Sequence, residues 1–199
     1  MKEMTVFVGP THGSKSTGAL HIARRNQRLG KTVVLVRPKR SVRAYEQYGT
    51  LSTKNGETFP SHDIDTPGEL SFVEDVDMIW VDEPFLFTFE QELLDFINRR
   101  RKRSEILVSS LGADCFLRPF GNVIPQLLAS ADKIVQCFAD CDSCGEIGKA
   151  TRTLALVDIK PGGIKVGATE SFSACCPECW TYLLELPVEK RVENYKRNK

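Results

Sequence analysis

Residues 4–17 read MTVFVGPTHGSKST. Met4 to Val8 is a short apolar, β-branched run that stops at Gly9, and from Ser16 to Leu29 the composition turns helical and ends at Gly30. A second apolar run, Thr32 to Val36, follows. Strand, glycine-bearing loop, helix and strand in that order predict a βαβ unit whose loop lies at the carboxyl edge of the first strand, where α/β sheets bind their ligands.

The loop itself, Gly9-Pro10-Thr11-His12-Gly13-Ser14-Lys15-Ser16-Thr17, has the context of an ATP-binding phosphate loop. Backbone N–H groups and the positive end of the helix can surround phosphate oxygens, Lys15 can reach the β- and γ-phosphates, and the Ser16 hydroxyl can hold Mg²⁺. The usual G-x-x-x-x-G-K-[ST] spacing puts glycine at position 14, whereas this chain has Gly13 followed by Ser14. The expectation is that a small serine is tolerated there while Gly13 absorbs any unusual backbone angle. The bland alternative is a plain glycine-rich turn before a helix.

Met78 to Val81 is apolar and ends in Asp82-Glu83-Pro84, a buried strand that delivers two carboxylates to the same sheet edge. Two adjacent acids can divide the labour of phosphoryl transfer, Asp82 organising Mg²⁺ and Glu83 taking the proton of an attacking hydroxyl. Taken alone, the pair reads equally well as a solvent-facing strand end.

Further along, Phe89 to Arg103 predicts an amphipathic helix, Ile106 to Leu111 a strand, Val123 to Ala131 a helix and Lys133 to Phe138 a last strand. The fold class is α/β, a largely parallel sheet of the P-loop NTPase (RecA-like) type with helices on both faces, plus a small C-terminal zinc-binding subdomain. The domain reading is an ATP-binding domain over 1–138, a zinc subdomain over 139–186 and a charged, frayed tail over 187–199. Residues 37–60 are polar with little periodicity, and are expected to form a mobile, lid-like excursion over the site.

Seven cysteines are present, and four of them form two C-x-x-C pairs, Cys141/Cys144 and Cys176/Cys179. Four thiolates can close a tetrahedral Zn²⁺ site with no vacant position, which makes it structural. Unligated or redox-active cysteines are the competing reading. No secretory signal and no run of 18 apolar residues is visible, so the expected location is the cytoplasm and no membrane partner is expected.

With 199 residues, 41% of them hydrophobic, the chain can build a substantial core. Its net charge of +1 gives no global electrostatic case for nucleic acid. The run Arg99-Arg100-Arg101-Lys102-Arg103 is read as a solvated helix end that complements the helix dipole. Phe85, Phe87 and Phe89 are read as core or subunit-interface residues.

In this order the motifs resemble the type II, zinc-containing thymidine kinase family over nearly the whole chain. The resemblance rests on GPTHGSKST (9–17), Arg37-Pro38, VDEPFLF (81–87), SLGADCFLRPFG (110–121), PQLLASADKIVQ, the first cysteine pair, Thr151-Arg152-Thr153 and VGATESFSACCPEC (166–179). It implies a thymidine kinase that uses ATP and Mg²⁺, with Glu83 as base, Asp82 and Ser16 on the metal and Lys15 on the phosphates. It implies too that the segment from Gly163 to Phe172, including Ile164, Lys165, Val166 and Gly167, forms a lasso over the nucleoside base, with Phe172 as supporting ring. Leu111, Thr151, Cys115 and Phe116 would line the pocket, and a homotetramer, or else a dimer, would be the assembly.

This chain departs from the family's pattern at several of these positions. Phe172 stands for the usual Tyr, Cys115 for a substrate-facing Phe, Gly112 for an acidic residue and Pro84-Phe85 for a small residue followed by Gln. Two alternatives therefore stay open. One is a kinase for another pyrimidine deoxynucleoside, such as deoxyuridine or a base-modified one; the other is a noncatalytic nucleotide-binding protein on the same fold.

Overall fold

The computed structural model of the chain describes residues 1–42, 46–73, 75–161 and 171–198. Its elements run β1 (Met4–Val8), α1 (Lys15–Arg28), β2 (Val33–Pro38), β3 (Thr50–Ser52), β4 (Thr58–Ile64), β5 (Met78–Asp82), α2 (Glu90–Arg100) and β6 (Glu105–Ser110). They continue with α3 (Val123–Ser130), β7 (Lys133–Gln136), β8 (Arg152–Ala155), β9 (Phe172–Cys175), α4 (Pro177–Leu184) and α5 (Val188–Arg197). The seven-stranded sheet has the order β3-β4-β2-β5-β6-β1-β7, and β8 and β9 form a separate antiparallel pair. The pairs β2·β4, β2·β5 and β5·β6 are parallel, and β3·β4 is antiparallel.

The chain divides into two compact units. One comprises Met1–Phe7, Lys15–Ser110 and Gly121–Val135; the other comprises Val8–Ser14, Leu111–Phe120 and Gln136–Lys199.

In the first unit the central strand β5, MIWVD, is buried along its whole length, as a strand flanked by parallel neighbours must be. Trp80 is its largest side chain, fully enclosed and meeting Phe59 edge-on with ring centroids 5.7 Å apart. Helix α1 ends as the sequence predicts: Gly30 takes φ 80°, and its N–H returns to the Gln27 carbonyl at 2.9 Å while Lys31 bonds Asn26 at 3.1 Å. Phe85, Phe87 and Phe89 are all buried, and Phe87 packs against Phe89.

Three expectations are corrected. The stretch 37–60 is not an irregular excursion, because β3 and the first residues of β4 lie in it and extend the sheet. What fastens it is Arg37, 1% exposed, which donates to Asp63 at 2.7 Å, Glu46 at 2.9 Å and the Thr50 carbonyl at 3.1 Å. Burial pushes the Asp63 carboxyl up, but hydrogen bonds from Arg37, the Gly49 N–H and Ser61, with the charge of Arg37, hold it below its ordinary value.

The basic run at 99–103 is not simply a solvated helix end either. Arg101 is buried, and its guanidinium donates to the Ser130 carbonyl at 2.9 Å and to Asp132 at 2.6 Å.

The charged tail, finally, is helical over Val188–Arg197 rather than frayed. In the second unit Arg191 donates to the carbonyls of Leu184 at 2.8 Å, Leu186 at 2.9 Å and Ala155 at 3.3 Å. That grip explains why so polar a helix forms: lone helices of this length are marginal in water.

Candidate nucleotide-binding site and thiol cluster

Asp82 closes β5 and is nearly inaccessible, at 6% exposure. Its Oδ1 accepts a hydrogen bond from the Ser16 hydroxyl at 3.2 Å and a very short one from the Ser109 hydroxyl. Ser109 stands opposite Asp82 in the β5·β6 register and itself accepts the Trp80 indole N–H at 2.7 Å. The carboxylate is thus oriented from below by a tryptophan–serine relay and meets, on α1, the hydroxyl that follows Lys15. A buried carboxylate beside a serine hydroxyl at a helix N-terminus is a donor set suited to Mg²⁺ or its bound water.

Glu83 follows directly, with φ 48° and ψ 53°, a left-handed conformation that a glutamate adopts only when its surroundings enforce it. Its N–H donates to the Ser109 carbonyl at 2.8 Å, and its carbonyl accepts from Leu86 at 3.0 Å. The bend ends the strand at Asp82 and starts the 3₁₀ turn Pro84–Leu86, so the two acids sit on differently oriented backbone.

In the second unit, residues 9–14 form the loop that leads into α1. A side chain on Gly9 would meet the Cys137 carbonyl at 2.4 Å, so this position requires glycine. His12 and Ser14 both take positive φ, 62° and 56°. Gly13 does not; it is confined instead by the Pro10 carbonyl, which a side chain would approach to 3.1 Å. The expectation that Gly13 takes up the strain of the displaced motif is therefore corrected. Position 14 keeps the left-handed backbone that makes glycine usual there, and serine adopts it. The loop is tied by Gly13 N–H to the Pro10 carbonyl at 3.2 Å, by Thr11 N–H to Thr153 Oγ1 at 3.0 Å and by His12 Nδ1 facing Asp142 Oδ2 at 3.3 Å.

The sulfurs of Cys141, Cys144, Cys176 and Cys179 all lie within 4.8 Å of one another, with Cys144 and Cys176 at 3.9 Å. A tetrahedron with Zn–S bonds of ~2.3 Å has edges of ~3.8 Å, so the set fits a four-thiolate zinc site. The pairs are brought together by β9 running into α4, whose N-cap is Cys176, and by the turn at 141–145. Burial pushes the Cys141 thiol up, yet the N–H groups of Cys176, Cys144 and Ser143 outweigh it and bring it down to about 7. Cys175, outside the set, is buried and pushed up to about 12, chiefly by burial.

Of the residues expected at the nucleoside, Leu111, Cys115, Phe116, Thr151 and Phe172 all belong to the second unit. Cys115 is buried and its thiol is pushed up to about 11 by burial and by Asp114, so it presents a neutral group. Phe116 is held in a turn whose N–H groups at Phe116 and Arg118 both donate to Asp114 Oδ1 at 2.8 Å. Thr151 donates its N–H to the Cys175 carbonyl at 3.1 Å, and Phe172 pairs with Ala155 in β9. Gly163, Ile164, Lys165, Val166 and Gly167 lie outside the described residues. Sequence reading missed Ser109, Trp80, Asp142 and Thr153. Ser109 left a trace as one of two serines at the end of an otherwise largely apolar strand, and Thr153 lies in the quoted Thr151-Arg152-Thr153 motif.

A phosphate-loop sequence between β1 and α1, a buried acid at the end of a parallel strand and a serine joined to it define a P-loop nucleotide-binding enzyme. Comparison narrows the class: the thymidine kinase family model matches residues 2–180, and the chain belongs to that family. It is 26% identical over 195 residues to a thymidine kinase of Mycoplasma genitalium, covering 96% of this chain and 89% of that one. To a thymidine kinase of Coprothermobacter proteolyticus it is 29% identical over 184 residues, with 87% of each chain covered. A replication initiator, DnaA, bound to AMPPCP and single-stranded DNA matches at a TM-score of 0.46 and 12% identity, over 98% of this chain and 55% of that one. The protein is a transferase of the kinase class. Among the described residues no helix is long and apolar enough to cross a membrane.

Proposed function

We propose that this chain transfers the γ-phosphoryl group of ATP to the 5′-hydroxyl of thymidine, giving the monophosphate and ADP in a nucleotide-salvage reaction. The observation that carries the reading is the Trp80–Ser109–Asp82–Ser16 chain of hydrogen bonds, which holds a buried carboxylate against the hydroxyl that follows Lys15. Residues 9–17 would cradle the phosphates and Lys15 would neutralise them. Ser16 and Asp82 would hold Mg²⁺, which supplies charge neutralisation at the transferring group. Glu83 accepts the proton of the 5′-hydroxyl as the new O–P bond forms and the bond from the γ-phosphorus to its bridging oxygen breaks. Leu111, Cys115, Phe116, Thr151 and Phe172 line the nucleoside pocket.

The same reading takes Cys141, Cys144, Cys176 and Cys179 as ligands of one structural Zn²⁺. It keeps the catalytic domain at 1–138, the zinc subdomain at 139–186 and a C-terminal segment at 187–199. It places the enzyme in the cytoplasm as a homotetramer acting on small molecules. A second reading keeps the reaction and changes the acceptor to deoxyuridine or a base-modified deoxynucleoside, favoured by the small, neutral Cys115.

Transfer of labelled phosphate from ATP across a nucleoside panel, with Mg²⁺, tests both. Thymidine monophosphate formed by the parent chain and lost in Glu83→Gln supports the first reading, and preference for another pyrimidine deoxynucleoside supports the second. ATP binding without product from any nucleoside would leave only a noncatalytic nucleotide-binding protein.

A further inference from the structure

The loop 9–14 carries two left-handed residues, His12 and Ser14, neither of them glycine. Such backbone persists only where neighbouring groups fix it. Two of the groups that meet it come from the part of the chain that bears the cysteines. Thr153 Oγ1 accepts the Thr11 N–H at 3.0 Å, and Asp142 Oδ2 faces His12 Nδ1 at 3.3 Å.

Both anchors are themselves held. Asp142 lies between Cys141 and Cys144, and it clasps β9 twice: its N–H donates to the Ala174 carbonyl at 2.8 Å, and its carboxylate accepts the Ala174 N–H at 2.7 Å. Thr153 pairs with the same Ala174 in the β8·β9 register, and its carbonyl accepts the indole N–H of Trp180, which follows Cys179 on α4. Ala174, two residues before Cys176, is thus the point where both anchors converge.

We propose that Thr153 and Asp142 are positioning residues for the ATP-binding loop, holding Thr11 and His12 so that the backbone of residues 9–14 is set before the nucleotide arrives. This rests on reading residues 9–17 as the phosphate loop. Neither residue touches the reacting atoms. A preset loop binds phosphate without first having to be ordered, so loosening the anchors weakens ATP binding while leaving nucleoside binding alone.

The test is equilibrium binding of a fluorescent ATP analogue to the full chain, with thymidine KM and metal content measured on the same preparations. Thr153→Val keeps the side chain's shape and removes the acceptor; its ATP Kd is expected to rise about tenfold, with thymidine KM and metal content unchanged. Thr153→Ser, which restores an oxygen, should return the Kd to the parent value. His12→Ala leaves β8, β9 and the cysteines untouched and should raise the Kd about threefold, so parent-like affinity there counts against the proposal even if Thr153→Val loses its metal. Parent-like ATP affinity in metal-loaded Thr153→Val, or in His12→Ala, overturns the proposal. A parent chain that binds no ATP analogue overturns the phosphate-loop reading itself, and is recognised without any variant.

Discussion

Ser16 and Asp82, 66 positions apart in the chain, meet through a hydroxyl-to-carboxylate hydrogen bond of 3.2 Å. The same carboxylate oxygen is supported by Ser109, and Ser109 by Trp80, so the two serines do different work. Ser16→Ala should leave the fold intact and raise the Mg²⁺ concentration needed for half-maximal turnover. Ser109→Ala leaves the buried indole N–H without its acceptor and should cost about 1–3 kcal/mol. Thermal unfolding of the two variants beside a Mg²⁺ titration separates these effects; a lowered Tm in Ser16→Ala and not in Ser109→Ala would reverse the assignment.

Position 14 gives a prediction of opposite signs. A left-handed residue that is not glycine carries a penalty of roughly 1–2 kcal/mol, and β-branching makes it worse. Ser14→Gly should therefore bind ATP at least as tightly as the parent chain, and Ser14→Val should bind it tenfold more weakly or worse. Isothermal titration with ATP reads both.

The buried ion network of β2 and β4 predicts a dependence on acid. Asp63 is held below its ordinary value in the folded chain, so its stabilisation is whole above the pH where an unfolded carboxylate titrates and is lost as pH falls through the folded value. Below about pH 4 the parent chain should lose unfolding free energy more steeply than Asp63→Asn. Arg37→Met strands Glu46 and Asp63 together and should cost about 3–5 kcal/mol at neutral pH. Denaturant titrations at several pH values measure both.

Metal removal should act locally first. The Ala174 N–H donates to Asp142, the residue after Cys141, and chelation should strip that amide of its protection from hydrogen exchange. The amides of β5 should keep theirs, and equal loss in both places would show that the thiol cluster supports the whole chain rather than its own neighbourhood.

Much of this was legible in the sequence because apolar runs write strands directly. MTVFV and MIWV stop at Gly9 and Asp82, and those stops mark where β1 and β5 end. The C-x-x-C pairs were equally plain, since thiol spacing survives any loop length between the pairs. β4 was not visible because the face that carries Phe59 also carries Ser61 and Asp63, and the partner that makes an inward Asp63 acceptable is Arg37, on another strand. Arg101 misled for the same reason: a basic run looks solvated until Asp132, 31 residues away, is seen to meet it. The helix at 188–197 depends on carbonyls of Leu184, Leu186 and Ala155, which no local pattern announces. Left-handed backbone at Ser14 and Glu83 is likewise dictated by surroundings rather than by residue type.

Gly9 and Ser14 lie in one loop but stand under different kinds of prohibition. At position 9 a single methyl group would be driven to 2.4 Å from the Cys137 carbonyl, an overlap that no change of rotamer can escape because the methyl is the β-carbon itself. At position 14 the residue is exposed, and what opposes a side chain there is the torsional penalty of the left-handed backbone. Mutational drift along the loop is therefore filtered unequally: the first glycine is fixed by collision, while the last is open to any lineage with about a kilocalorie per mole to spare. That is where this chain parts from the usual phosphate-loop pattern.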